Sequence, residues 1–386
     1  MSSVFFYVQH LLGIGHLRRA AIIARALSRH RLDVAFVSGG EPAGDLDLAG
    51  GKLLQLPVAM SADAAFSAIH DGEGKPIDDA WRERRKKMLL EEFERRRPDL
   101  LLIEMFPFGR RQFAFELVPL MAAAKQRGIP VAISLRDILV AKNKPARVAE
   151  TLDLVNRHVD AVLVHGDPAI VRLDATFPAA AQIAPPVIHT GYVAEAAPSP
   201  AQVREGAEIL VSAGGGAVGA PLLRAVLAAR GATRLADAPW RLIAGPNLPP
   251  SDFASLSANL PPRAVLERFR QDFPALMAAA RLSISQAGYN TVMDILSTGS
   301  RALVLPFAEG AESEQTLRAR LLAERGLLSL MEPPFEMAAL ARAIDTAADM
   351  PRPQAGRVDL DGANATARHI VALMNARPAG ARGAGA

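Results

Sequence analysis

The chain contains no cysteine, which excludes disulfides, thiolate zinc sites and a cysteine nucleophile. It also lacks an apolar run of about 18 residues, the length that a membrane-spanning helix needs. The opening residues, MSSVFFYVQHLL, carry no basic n-region and no small-residue cleavage site, so they read as a first strand rather than a signal peptide. H-E-x-x-H, a Walker loop and G-x-S-x-G are missing too, which argues against a metalloprotease, a P-loop ATPase and a serine hydrolase. These absences agree with a cytoplasmic protein.

What is present is a long, globular composition. At 386 residues the chain exceeds the size at which one core stops growing, so two domains are expected. Half of its residues are hydrophobic and 22% are charged, the balance of a folded protein rather than a disordered one. Charge is concentrated in one place. Trp81 to Arg97, WRERRKKMLLEEFERRR, holds eight basic and four acidic residues, an excess equal to the formal net charge of +4 of the whole chain. One reading is a solvated helix with mixed-charge support along its face. The other is a basic, Trp-bearing surface that meets an anionic membrane or an acidic acceptor. No nucleic-acid module or aromatic interleaving accompanies it, so nucleic acid is not an expected partner.

Apolar strands alternate with helical spacing in the first half. Val4–Val8, Asp33–Val37, Leu100–Ile103, Val131–Ser134 and Ala161–Val164 read as strands, and His16–His30 as a helix through Leu17, Ala20, Ala21, Ala24 and Leu27. Near-continuous apolar strands separated by helices imply a parallel sheet covered on both faces. The Pro-rich AAPSP at 196–200 interrupts the pattern as a linker does, and the alternation restarts with strands at Glu208–Val211, Trp240–Ile243, Leu282–Ser285 and Ala302–Leu305. Asn364–Met374 reads as a terminal helix and PAGARGAGA at 378–386 as a disordered tail. The expected fold class is therefore α/β, with two Rossmann-like parallel-sheet domains facing across a cleft that would house ligands.

Polar groups cluster where the chain leaves each strand, which is where open parallel sheets hold ligands. Gly214 to Gly219, GGGAVG, follows a strand and opens a helix; Gly214, Gly215 and Gly216 can let backbone amides approach a phosphate. A structural glycine turn is the alternative. A dinucleotide site would need an acid at the tip of the next strand, and that strand ends in Ala244-Gly245-Pro246-Asn247 instead. In SQAGYNTVMDIL, Gln286, Gly288 and Thr291 sit at a strand-to-helix turn, and Asn290 is placed to cap a helix beginning at Thr291. Asp294 could complement the helix dipole or accept both hydroxyls of a ribose. The loop AEGAESEQ after Phe307 places Glu309, Glu312, Glu314 and Gln315 at another strand end, suited to sugar hydroxyls or simply solvated.

In the first half, Gly13 to His16 spells GIGH at the first strand-to-helix turn. Gly15 exposes His16 there as a general base or an ordinary cap, and His10 is a second candidate. Glu104 and Arg136-Asp137 follow strands and could line an acceptor side, or form a structural ion pair. Asp45-Leu46-Asp47 spells a D-x-D that lies in the wrong half for a metal site, and no metal is expected.

Taken together, GIGHLRRAAIIARAL, VSAGGGAVG, SQAGYNTVMDIL and PFAEGAESEQTLRARLLAERG resemble the GT-B glycosyltransferases similar to the UDP-N-acetylglucosamine transferase of peptidoglycan lipid II synthesis. The resemblance covers most of the chain. It implies an acceptor-side domain at 1–195, a nucleotide-sugar domain at 202–362, a helix at 363–376 crossing back to the first domain, and a tail at 377–386. It implies that Gly214 to Gly216 hold a diphosphate, Asp294 the donor ribose, and Glu314 and Gln315 the donor sugar. The backbone near Arg268 and Phe269 would hold the base, and His16 would match the family's histidine. The chain departs from that enzyme in GIGH rather than a doubled glycine before the histidine, and in Asp rather than Glu at 294; both bear on the acceptor more than on donor chemistry.

The expected activity is inverting, metal-independent transfer of a sugar from a nucleoside diphosphate donor, UDP-linked, to an acceptor hydroxyl. No cofactor is expected beyond the donor substrate. Two alternatives remain: a UDP-sugar 2-epimerase, which needs acid/base groups around the donor sugar, and a non-catalytic nucleotide-sugar-binding protein.

Overall fold

The computed structural model describes residues 1–11, 15–44, 46–61, 68–139, 144–196, 198, 205–215, 218–307, 314–354 and 356–376. The chain divides into two compact units, Met1–Val193 together with the segment from Asp361 onward, and Ala194–Leu360.

The first unit opens with β1 (Ser3–Val8), α1 (Gly15–Arg29), β2 (Asp33–Ser38), β3 (Lys52–Gln55), β4 (Ala59–Ser61) and β5 (Ile69–Asp71). It continues with α2 (Asp79–Arg96), β6 (Leu100–Glu104), α3 (Ala114–Gln126), β7 (Val131–Arg136), α4 (Pro145–His158), β8 (Ala161–His165) and β9 (Val187–His189). The second unit follows as β10 (Ile209–Ser212), α5 (Ala220–Arg230), β11 (Trp240–Ile243), α6 (Pro250–Ala258), β12 (Ala264–Glu267), α7 (Phe273–Ala279), β13 (Leu282–Ser285), α8 (Tyr289–Thr298), β14 (Ala302–Val304), α9 (Glu314–Ala323), β15 (Ser329–Leu330) and α10 (Met337–Asp349). The last helix, α11 (Gly362–Asn375), belongs to the first unit.

Both main sheets are parallel. The first runs β3-β2-β1-β6-β7-β8-β9 and the second β12-β11-β10-β13-β14-β15. Strand order reverses direction between β1 and β6 in one and between β10 and β13 in the other. Such reversals open a crevice at the carboxyl ends of the strands. The strands are buried on both faces, so they read as continuous apolar runs (VFFYV, LLLI, AVLV) instead of alternating ones. Helix α1 shows the complementary pattern. Leu17, Ala20, Ile23, Ala24 and Leu27 fall on one stripe and pack with α11 through Ala367, Ile370 and Met374. Burying each large aliphatic of that stripe contributes about 2 kcal/mol.

The charged helix α2 carries the mixed-charge solvated face read from its sequence, but its tryptophan does not lie on a basic surface. Trp81, Arg85, Leu89 and Phe93, four residues apart, form its buried stripe. Trp81 therefore faces the core and is no aromatic anchor for a membrane surface. Arg85 is fully buried: it binds Glu116 (Nε to Oε2, 3.0 Å), Gln9 Oε1 (2.5 Å) and the carbonyls of Gly39 (3.0 Å) and Pro57 (2.7 Å). Tyr7 Oη donates to Glu116 at 2.5 Å. On the outer face, Arg82, Lys86, Arg95 and Arg96 pair with acids of the same helix. Among the described residues no helix is long and apolar enough to cross a membrane.

Candidate active site

The turn after β10 begins at the strand reversal of the second sheet. Gly214 adopts φ +59°, a left-handed conformation open to glycine without cost, and its N–H donates to Ser212 Oγ at 3.3 Å. Gly215 accepts from Asn247 N–H at 3.1 Å, and both glycines are exposed. Gly219 ends the loop at the start of α5. A Cβ there would lie 2.3 Å from Ala213 Cβ, so glycine is what allows the helix to approach the strand. Gly216 lies outside the described residues.

Beside this loop, β13 exits into α8. Gln286 Nε2 donates to the carbonyl of Val218 at 3.3 Å, and a Cβ on Gly214 would come within 3.9 Å of Thr291 Oγ1. The fold thus brings Gly214, Gln286 and Thr291 together across the reversal point. The capping expectation fails: α8 starts at Tyr289, Gly288 takes the cap position without a side-chain cap bond, and Asn290 is already inside the helix. The chain turns into the helix earlier because Tyr289 is buried and anchors the first turn. Asp294 is half-buried in the middle of α8, and its carbonyl accepts from Thr298 Oγ1 at 2.6 Å.

Glu314 opens α9 but is buried, and its Oε1 accepts from Arg318 Nη2 at 2.6 Å. Arg318 is fully buried and stacks over the Tyr289 ring at 5.3 Å. Gln315 Oε1 accepts from Phe307 N–H at 3.2 Å. Glu309 and Glu312 lie outside the described residues. After β12, the Arg268 carbonyl accepts from Gly245 N–H at 3.0 Å, while its guanidinium donates to Leu248 O at 2.9 Å and lies 4.3 Å over the Phe253 ring. Phe269 is 52% exposed, an apolar surface large enough to stack on a flat ring.

The first sheet builds a second constellation at its own reversal. His16, the second residue of α1, directs Nδ1 to Glu104 Oε1 at 2.8 Å. Glu104 ends β6 and is fully buried; Arg19, one turn along α1, donates to the same oxygen. Burial pushes His16 down to about 4, against the opposing charge of Glu104. Burial would raise Glu104, but His16, Arg19 and Arg110 outweigh it and hold the carboxyl at about 2. At neutral pH the pair is thus a neutral imidazole donating Nδ1–H to a carboxylate, and Nε2 keeps its lone pair. That is the arrangement of an oriented general base.

His10 is buried after β1, neither ring nitrogen makes a hydrogen bond among the described residues, and burial lowers its pKa. Gly15 is exposed at the first turn of α1. Arg136 ends β7 half-buried, whereas Asp137 is fully buried against Gly166. His165 serves structure: Ser134 Oγ lies 2.8 Å from its Nε2 and Thr190 Oγ1 3.0 Å from its Nδ1. Four residues were not singled out from sequence. Arg19 could have been, since it lies one helical turn from His16; Arg110 and the buried Arg85–Glu116 pair carry no local signal.

The fold and these strand-end groups define a class: two Rossmann-like domains, the GT-B architecture of nucleotide-sugar glycosyltransferases. Residues 210–353 match the Glycosyltransferase family 28 C-terminal domain. The chain is similar to the UDP-N-acetylglucosamine–N-acetylmuramyl-(pentapeptide) pyrophosphoryl-undecaprenol N-acetylglucosamine transferase of Ralstonia nicotianae, 39% identical over 87 residues, 22% of this chain and 23% of that one. It is 27% identical over 212 residues, 54% of each chain, to the enzyme of that name from a Synechococcus strain. The matched segments span about a quarter and about half of these relatives. Among solved structures, the calicheamicin glycosyltransferase CalG4 superposes over 98% of this chain and 99% of its own with a TM-score of 0.63 at 16% identity, a likeness of fold.

Proposed function

We infer that this chain is a glycosyltransferase that moves a sugar from a nucleoside diphosphate donor, UDP-linked, to an acceptor hydroxyl with inversion and without a metal. The observation that carries the reading is the His16–Glu104 pair. A neutral imidazole fixed by a buried carboxylate can take the acceptor's proton as its oxygen attacks the anomeric carbon. A single displacement of that kind inverts the centre. The exposed Gly214–Gly215 turn allows close approach of a phosphate and the N-terminus of α5 supplies positive potential for charge developing on the departing diphosphate, which is why we assign no metal a role.

On the donor side, the match to the family 28 domain supports assigning the diphosphate to Gly214–Gly216, the ribose to Asp294 and the base to the segment at Arg268 and Phe269. Glu314 is assigned a positioning role through its ion pair with Arg318, with Gln315 beside it. We assign the reaction to the cytoplasm, and no contact of the 81–97 helix with a membrane, since its tryptophan is buried and Arg82, Lys86, Arg95 and Arg96 are paired with acids of the same helix.

The test is a panel of nucleotide sugars read by thermal stabilisation, because a ligand that binds only the native state raises its melting temperature. UDP and one UDP-sugar should stabilise, and Asp294→Ala should weaken both. Absence of a shift with every nucleotide sugar would remove the donor assignment.

A further inference from the structure

The segment Ala244-Gly245-Pro246-Asn247 after β11 lacks the acid of a dinucleotide site, but its main chain is fixed on both sides of Asn247. Gly245 takes φ +84°, and its N–H donates to the Arg268 carbonyl at 3.0 Å. Leu248 is buried, and its carbonyl accepts from Arg268 Nη1 at 2.9 Å. Between them Asn247 is exposed, and its own N–H donates to the Gly215 carbonyl at 3.1 Å. Asn247 is thus tied directly to the glycine turn of the neighbouring strand, β10.

The side chain follows the main chain to that turn. A Cβ on Gly215 would lie 4.0 Å from Asn247 Nδ2, so the amide stands on the side of the turn that glycine leaves open. No hydrogen bond to a described residue occupies it. The turn has few donors of its own. Gly214 N–H is engaged with Ser212 Oγ at 3.3 Å. At the start of α5 one of the N–H groups that a helix leaves unpaired is missing, because Pro221 has none. The helix dipole still favours an anion there, but a diphosphate accepts more hydrogen bonds than these groups provide. A carboxamide adds N–H donors without bringing negative charge.

We propose that Asn247 is a ligand of the donor's diphosphate, its Nδ2–H donating to a phosphoryl oxygen seated at the Gly214–Gly215 turn. The inference rests on the donor reading above and adds to it a residue from a third strand end, beside those of β10 and β13. Asn247 acts on the phosphates alone and is indifferent to the base and the sugar. Its two contacts are separable: the main-chain N–H holds the turn, and the side chain meets the ligand.

The experiment titrates the full chain with UDP and with uridine by calorimetry, for wild type, Asn247→Ala and Asn247→Asp, at low and at high salt. Both variants keep the main-chain bond to Gly215 and change an exposed side chain, so their urea midpoints should match wild type. Asn247→Ala should weaken UDP about tenfold or more, the weight of one hydrogen bond to a charged group, and leave uridine unaffected. Asn247→Asp has the same size but repels phosphate. It should weaken UDP further than alanine does, and that extra loss should shrink as salt is raised. Equal losses on UDP and uridine with no dependence on salt would mean a merely structural asparagine and overturn the proposal. Variants that bind UDP as tightly as wild type would overturn it too, while leaving the donor reading in place. A wild type that binds no UDP would overturn the donor reading and this inference together.

Discussion

Replacing Glu104 by Gln separates the two roles that the buried carboxylate combines. The side chain is fully buried and accepts from His16 at 2.8 Å and from Arg19, which is 3% exposed. The amide keeps one acceptor oxygen but no charge, so the buried Arg19 guanidinium loses the negative charge of Glu104. Breaking a buried pair costs about 3–5 kcal/mol, and the surviving hydrogen bond argues for a loss of about 3 kcal/mol in the first domain. Catalysis should suffer independently, because imidazolium forming at His16 loses its negative neighbour; a fall of roughly 10²-fold in kcat follows from the usual weight of general base catalysis. The direction of the pH profile is a sharper check. Glu104 raises the His16 pKa against the larger effect of burial, which brings it to about 4. Removing that charge lowers it further, so the acid limb of kcat/KM should move to lower pH in the variant. Urea denaturation gives the stability term, and a pH–rate series on the stabilising donor gives the rest. An acid limb that moves up, or a variant with unchanged rate and stability, would refute the assignment of Glu104 as the partner of His16.

Other consequences are equally direct. Burial brings the His165 pKa to about 3, with Arg19 adding to the effect, so the unfolded chain binds a proton that the folded chain refuses. Stability should fall as pH drops from 6.5 toward 3, by on the order of 5 kcal/mol from this residue. Urea midpoints at pH 7, 5.5 and 4.5 should decline, and less steeply in His165→Asn. Gly219→Val forces a side chain into the space of Ala213, 2.3 Å from its Cβ, and should destabilise the second domain by about 1–3 kcal/mol in the same assay. Arg85→Met removes the cation on which Glu116, Gln9 and two carbonyls converge and strands a buried carboxylate, which should cost about 3–5 kcal/mol; an unchanged urea midpoint would contradict the view of that network as a scaffold.

Which parts of this were legible in the sequence follows from physics. Central parallel strands bury both faces, so β1, β6, β8, β10, β11 and β13 stand out as short apolar runs. Edge strands do not: Lys52–Gln55 and Ala264–Glu267 have no fully buried residue, and two-residue β15 is too short for any pattern. The antiparallel strands β4 and β5 have three residues each, and their pairing is invisible to a reading tuned to β-α alternation. Trp81 and Arg85 misled because composition averages over a helix whereas burial selects one stripe. His16 and Glu104 could each be placed at a strand end, but their contact joins residues 88 apart and depends on sheet order. Asn290 had the chemistry of a cap, yet the start of α8 was decided by the burial of Tyr289, a tertiary effect that outweighs local preference. Arg110 lay beyond sequence reasoning altogether, since its left-handed backbone belongs to a residue type that rarely adopts it.

The central claim is that His16 activates the attacking oxygen while the second domain holds the donor. Release of UDP from the stabilising nucleotide sugar, with water or a supplied acceptor as nucleophile, tests it when wild type and His16→Ala are compared at equal donor occupancy. The account predicts an unchanged donor Kd and a rate lower by about 10² or more in the variant. An equal rate of UDP release in both proteins would contradict it.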